Sequence, residues 1–319
     1  MTCPRLRGLA IATLGALLAC ARRGDMPEIE DRLIVYNAGS LARPLRAALD
    51  SFARREDVRI EQESAGSLET ARKLTELGKT PDIIALADHE IFPSLLVPNH
   101  TRWYALFARN RMVIAYTGQS RHAGEMTPER WWRILTLPDV QVGRADPNRD
   151  PNGYRTLLVL QLAERFHREP GLAARLLANA PERNVRPKET DLVGLLEAGE
   201  LDYIWSYESM AQAAGLRYVR LPEEIDLGSP AESTAYRAAT VRVPGRSPAD
   251  TLVITGQAIV YALSIPTSAP HAELATRFVR WLLSPDGGRV LRDARLDALE
   301  RPVLIGNPPP ALTAPASTP

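Results

Sequence analysis

"LIVYNAGSLARPLRAALDSF", Leu33–Phe52, holds one complete strand-loop-helix unit. Leu33 to Tyr36 is a short apolar run that reads as a strand, and Asn37-Ala38-Gly39-Ser40 reads as a loop. Behind the loop, Leu41, Leu45, Leu49 and Phe52 recur at the spacing that places them on one face of a helix. Ser40 stands where an N-cap would, and Pro44 falls in the first turn, where its missing N–H is tolerated. The unit then returns. Val58-Arg59-Ile60 predicts a strand, Ser64–Ser67 ("SAGS") a loop, and Leu68 to Leu77 a helix stopped by Gly78. "PDIIALAD" (Pro81–Asp88) follows as a buried strand. Such alternation predicts an α/β fold, with a parallel sheet covered by helices on both faces.

A second set of elements begins after "LFARNRMVIAYT" (Leu106–Thr117). Val140 to Gly143 predicts a strand, and "RADPNRDPNGYR" (Arg144–Arg155) a turn rich in Asp, Asn and Pro. Helices are predicted over Thr156 to Phe166 and over Thr190 to Ala198, the latter stopped by Gly199. Leu201 to Tyr207 and Gly256 to Pro266 read as strands. Ala272 to Ser284 reads as a helix with Phe278, Trp281 and Leu282 inward. The apolar runs Arg111 to Tyr116 and Ala258 to Ser264 are candidates to cross between two lobes. The expected division is residues 32–110 with 262–308 in one lobe and 111–261 in the other, with a cleft between them. Residues 309–319 end the chain in a low-complexity tail, expected to be disordered. No internal repeat is defensible at the level of sequence.

Composition narrows the function. The chain has 319 residues, 45% hydrophobic and 24% charged, as an ordinary globular protein does. Its 39 Lys and Arg against 38 Asp and Glu leave a net charge of +1, without the basic excess of a nucleic-acid binder. The five histidines are scattered, with no metal-ligand spacing. Both cysteines, Cys3 and Cys20, lie at the N-terminus. There Arg5 and Arg7 precede a short apolar run, Leu9 to Ala19, too short to cross a bilayer, which takes about 20 apolar residues. Leu17-Leu18-Ala19-Cys20 resembles a bacterial lipobox, which implies cleavage before Cys20 and lipid attachment to its thiol. The other reading is a plain secretory signal; a Cys directly after a small residue favours the lipobox. Residues 1–19 are then a signal peptide and 20–31 a tether. Both readings put the mature protein outside the cytoplasm.

Four strand-to-helix junctions carry polar, glycine-containing or acidic segments: "NAGS", "SAGS", "DPNRDPNGY" and "RPKETD". In an α/β sheet such loops gather at the carboxyl ends of the strands, where ligands bind. Helix N-termini converging there make an anion site, with Ser40 and Ser67 as added hydroxyl donors. Against this stands the plainer reading of both serines as helix caps. Asp150 likewise reads as a turn former, and Glu189 as a first-turn helix acid.

"YNAGSL", "ESAGSLETARKL", "DPNRDPNGYR", "RPKETDLVGLLEAGELDYIWSYES" and "RPVLIGNPPP" closely resemble the molybdate/tungstate-binding proteins of ABC importers, in particular the tungstate-binding branch first known from archaea. The resemblance runs in order from Leu33 to Pro308. It implies a bilobal type II periplasmic binding protein, neither enzyme nor cofactor carrier. Such a protein would act as a monomer, closing on an oxyanion and delivering it to a permease and its ATPase. The ligand contacts it implies are Gly39, Ser40, Ser67, Asp150, Pro151, Asn152, Glu189 and Tyr207. Where the family usually has Cys, this chain has Asn152. Two carboxylates facing a dianion would repel it by several kcal/mol at ~4 Å. In the family they bind the metal atom instead: tungsten(VI) and molybdenum(VI) are hard and can expand from four oxygens to six. Sulfur cannot, so the same pair would accept one dianion and reject the other. The alternatives are a binder of sulfate, phosphate or a small carboxylate, or a hydrolase using Asp150 and Glu189 as an acid/base pair. Aromatic content of only 6% and the absence of nucleophile-elbow, P-loop or zinc motifs weigh against the hydrolase.

Overall fold

The computed structural model describes residues 32–244 and 250–313. The signal peptide, the tether, Cys20 and the last six residues of the tail therefore lie outside the described residues. Thirteen strands occur among those described: β1 Arg32–Ala38, β2 Arg59–Ala65, β3 Ile83–Leu86, β4 Trp103–Arg109, β5 Met112–Tyr116, β6 Val142–Ala145, β7 Val185–Arg186, β8 Tyr203–Tyr207, β9 Arg217–Arg220, β10 Thr240–Pro244, β11 Thr251–Thr255, β12 Val260–Ser264 and β13 Asp297–Gly306. They form a six-stranded sheet in the order β13-β4-β12-β3-β1-β2, a five-stranded sheet in the order β7-β6-β8-β5-β9, and the hairpin β10-β11.

The two larger sheets share one plan. β1 pairs parallel with β2 and β3, and β6 pairs parallel with β7 and β8. Into each sheet one strand is inserted antiparallel from across the chain: β12 between β3 and β4, and β5 between β8 and β9. The repeat that sequence does not reveal is thus present in topology. The insertion also corrects the expectation of a purely parallel sheet, because a strand returning from the other sheet enters in the opposite direction. The chain crosses at Asn110, between β4 and β5, and returns just before β12. β12 begins at Val260, so a boundary between 261 and 262 runs through it.

The apolar periodicity reads through to the core. Leu41, Leu45, Leu49 and Phe52 are buried beneath helix Ala42–Glu56. Phe278 and Leu282 are buried in helix Ala272–Leu282, with Trp281 packed partly buried against them. A smaller cluster, including Leu192, Leu196 and Ile204, lies between helix Glu189–Glu197 and the second sheet. The tail departs from expectation where it is described: Pro310–Thr313 form a helical turn, and Leu312 packs against the core.

Candidate functional site

Ser40 and Ser67 are buried, and neither is a cap. After β1, Gly39–Leu41 form one tight turn before helix Ala42–Glu56, which has no side-chain cap. Ser40 Oγ accepts instead from the Tyr261 hydroxyl at 3.1 Å. Ser67 is the first residue of helix Ser67–Thr75, one position past the cap, and its Oγ accepts from the Ala87 backbone N–H at 3.0 Å. Tyr207, at the end of β8, accepts at its hydroxyl from Arg155 at 2.8 Å. Burial pushes that phenol well above its usual range and keeps its proton on. Each of the three hydroxyls has an acceptor role filled, and none donates to another described group. Each keeps its own hydrogen without an acceptor among the described groups.

The carboxylates have the opposite character. Asp150 does cap helix Pro151–His167: its Oδ1 accepts from the Asn152 N–H at 2.9 Å. Its Oδ2 accepts from the Glu189 N–H at 3.2 Å, so the start of one helix is tied to the start of the next. Glu189 opens helix Glu189–Glu197, and its Oε1 accepts from Ser206 Oγ at 2.6 Å and the Tyr207 N–H at 2.7 Å. Glu189 Oε2 is buried with no hydrogen-bond partner, as are both side-chain amide atoms of Asn152. Burial raises Asp150 to about 6 and Glu189 to about 8, and the charge of Asp150 adds to the rise at Glu189. Unpaired buried polar atoms are rare in folded proteins and costly, and Glu189 Oε2 and the Asn152 amide are such atoms at this junction.

The loops from the two sheets touch. A Cβ placed on Gly66 would lie 2.2 Å from the Arg149 carbonyl oxygen, and one on Gly39 would lie 3.4 Å from Thr190 Cγ2. Arg72 donates across to the Asn148 carbonyl at 3.1 Å, and Arg149 pairs with Glu69 at 3.1 Å. The structure therefore brings Gly39, Ser40 and Ser67, from the first sheet, to Asp150, Pro151, Asn152, Glu189 and Tyr207, from the second.

Sequence reasoning passed over the groups that hold these in place. Arg155, on helix Pro151–His167, donates to the Ala87 carbonyl at 2.7 Å and pairs with Asp88 at 3.4 Å, both side chains being buried. Tyr154 donates to the same Asp88 at 2.5 Å. Asn110 donates to Ser209 at 2.7 Å and to Tyr261 at 2.8 Å, and Tyr261 reaches Ser40. A signal existed for Asp88: a carboxylate just past an apolar buried strand needs a partner. Among the described residues no group of three or more His, Cys, Asp or Glu is placed to hold a metal ion.

Residues 33–294 match the family of bacterial extracellular solute-binding proteins. The chain belongs to this family. Membership implies a role in transport and a place outside the cytoplasm. This solute-binding protein is 36% identical to the molybdate/tungstate-binding protein WtpA of Pyrococcus abyssi, over 95% of its own length and 96% of the relative's. It is 36% identical to that of Thermococcus kodakarensis, over 94% and 92%. An uncharacterized solute-binding protein of Petrotoga mobilis is 41% identical over 83% of each chain. Among solved structures, the Azotobacter vinelandii periplasmic molybdate-binding protein superposes with a TM-score of 0.58 at 13% identity, covering 83% of this chain and 98% of that one. The sulfate-binding protein SubI of Mycobacterium tuberculosis H37Rv gives 0.58 at 13%, over 89% of each. At such identities the likeness concerns the fold, that of a type II periplasmic binding protein with two α/β lobes.

Proposed function

We propose that this solute-binding protein captures tungstate or molybdate outside the cytoplasm and delivers it to the permease and ATPase of an ABC importer. The observation that carries the reading is the split character of the site. Three buried hydroxyls, on Ser40, Ser67 and Tyr207, are left as donors, while Glu189 Oε2 beside Asp150 has no partner and becomes an acceptor when the carboxyl gives up its proton. Donors suit the oxygens of an oxyanion, and a bare carboxylate oxygen suits an electrophilic centre. Tungstate and molybdate offer both in one ion, since their metal atom accepts further hard oxygen ligands. Sulfate and phosphate offer only the oxygens and would meet the two carboxylates as repulsion. The likeness to the two WtpA proteins, named for the same ions, supports the choice.

On this reading Gly39 brings its loop close to Thr190, and Pro151 and Asn152 open the helix whose N-terminal N–H groups face the anion. The lobes are residues 32–110 with the chain from β12 to 308, and the segment between. The working form is a monomer, tethered to the membrane by lipid on Cys20 after removal of residues 1–19. Calorimetric titration with tungstate, molybdate, sulfate and phosphate tests the function. The expected result is one saturable site for tungstate and molybdate, at least 100-fold tighter than for sulfate or phosphate. Equal or tighter binding of sulfate would overturn it.

A further inference from the structure

A cavity of about 320 Å³ opens where the chain crosses between the sheets, walled by residues from both. Arg109, Arg292, Arg295 and Asp297 come from the side of the first sheet, and Arg111, Arg220 and Glu208 from the second. Five guanidinium groups thus line it, against the carboxylates of Glu208 and Asp297 and the buried Asp226 behind Arg111, an excess of two positive charges. One carboxylate is already shared. Glu208 pairs with Arg111 at 3.2 Å and with Arg220 at 2.6 Å, and Arg111 also reaches the buried Asp226 at 3.3 Å. Arg109, Arg292 and Arg295 pair with no carboxylate among the described residues.

Guanidinium is planar and presents paired N–H groups that fit phosphate oxygens two at a time, so several of them around one hollow are suited to a multiply charged phosphoryl group. The volume agrees. One water occupies about 30 Å³ of the liquid, so the space is larger than a single tetrahedral oxyanion needs and suits a diphosphate or a phosphorylated organic group. The wall also communicates with the site described above. Asn110 and Ser209 line the cavity and bond to each other, and Asn110 donates to Tyr261, whose hydroxyl sets Ser40. Asn110 is also the residue at which the chain crosses, so groups held on either side of it fix the arrangement of the two sheets.

We propose that this cavity is a second anion site, for a phosphoryl polyanion, and that its occupant tightens oxyanion binding by holding the crossing in the arrangement described here. The second clause rests on the proposed function; the first does not. Such coupling is reciprocal: oxyanion must tighten the polyanion by the same factor.

Sodium pyrophosphate is the probe, titrated calorimetrically at fixed ionic strength into the protein with and without saturating tungstate. The expected result is one site in both cases, tighter with tungstate, and at least tenfold weaker in Arg292→Gln/Arg295→Gln, whose side chains are exposed and whose replacement leaves tungstate affinity alone intact. Absence of binding at millimolar pyrophosphate, or binding untouched by the double substitution, would overturn the site. Pyrophosphate binding that tungstate leaves unchanged would overturn the coupling and keep the site. Vesicles separate the two sources of such a group. Sedimentation with phosphatidylglycerol but not phosphatidylcholine vesicles, lost in the double variant, assigns it to a lipid headgroup; pyrophosphate binding without sedimentation assigns it to a soluble phosphate.

Discussion

Asp150 combines two readings that sequence had set against each other. It caps its own helix through one oxygen and accepts the first N–H of the next helix through the other, because the start of a helix is where backbone N–H groups are free to fix an acid. The serines resolve the other way, their hydroxyls turned from the helix to Tyr261 and Ala87. The loops that carry the eight proposed contacts were legible as strand-to-helix junctions. Arg155 and Asp88 were not, since 67 residues separate partners that only the fold unites. The pair yields a prediction about stability. Arg155→Met leaves the buried Asp88 without its counter-charge, held by the Tyr154 hydroxyl and the Glu90 N–H, which costs about 3–5 kcal/mol. Arg155→Met/Asp88→Leu removes both charges and should recover most of that loss. Urea unfolding of the three proteins checks this; a double variant no more stable than the single would show that packing, not charge, sets the cost.

At the scale of elements, close approach matters more than propensity. Gly66 has an ordinary extended conformation, so its backbone does not demand glycine. Its neighbour does: a methyl group there would meet the Arg149 carbonyl oxygen at 2.2 Å. Gly66→Ala should therefore hold helix Ser67–Thr75 away from the Asp150 turn. We expect tungstate affinity to fall at least tenfold while the melting temperature without tungstate stays within about 2 °C, since the clash exists only where the loops meet. Titration and thermal unfolding of the variant check it, and unchanged affinity would contradict the contact. The strand-loop-helix units were legible because their apolar spacing is local. The inserted strands were not, since β5 and β12 read as ordinary apolar runs and only pairing across the chain shows which sheet each joins. The hairpin β10-β11 was missed although its first strand alternates exposed and buried residues.

For the whole molecule, the proposed closure of two lobes over this pair of buried acids should depend on pH. Burial lifts Asp150 to about 6 and Glu189 to about 8, whereas both titrate near ~4 when exposed. A closure that buries them would therefore take up protons in that interval. The closed form is favoured fully below about pH 4 and loses that favour as pH rises through 6 and then 8. Small-angle scattering of protein stripped of oxyanion should show the radius of gyration increasing from pH 5 to pH 8. Tungstate should abolish the trend by giving both acids an electrophile in place of a proton. A radius independent of pH without oxyanion would mean that the acids do not govern closure. Saturating tungstate should also raise the melting temperature by mass action.

The central claim is that Asp150 and Glu189 bind the metal atom of the oxyanion, and the sign of a substitution decides it. If the acids only lined an anion pocket, Asp150→Asn and Glu189→Gln would relieve repulsion and tighten every dianion. If each gives an oxygen to the metal, each substitution weakens tungstate and molybdate, while sulfate gains or stays level. The amides preserve shape and size; Asn at 150 turns one acceptor of a backbone N–H into a donor, whereas Gln at 189 can keep its bonded oxygen and place the amide nitrogen at the unpartnered position, so Glu189→Gln is the cleaner variant and sulfate is the control for both. Calorimetric titration of the protein and both variants against the three dianions is the measurement. We predict at least a 100-fold loss for tungstate and molybdate and no loss for sulfate; tighter tungstate binding by either variant would contradict the account.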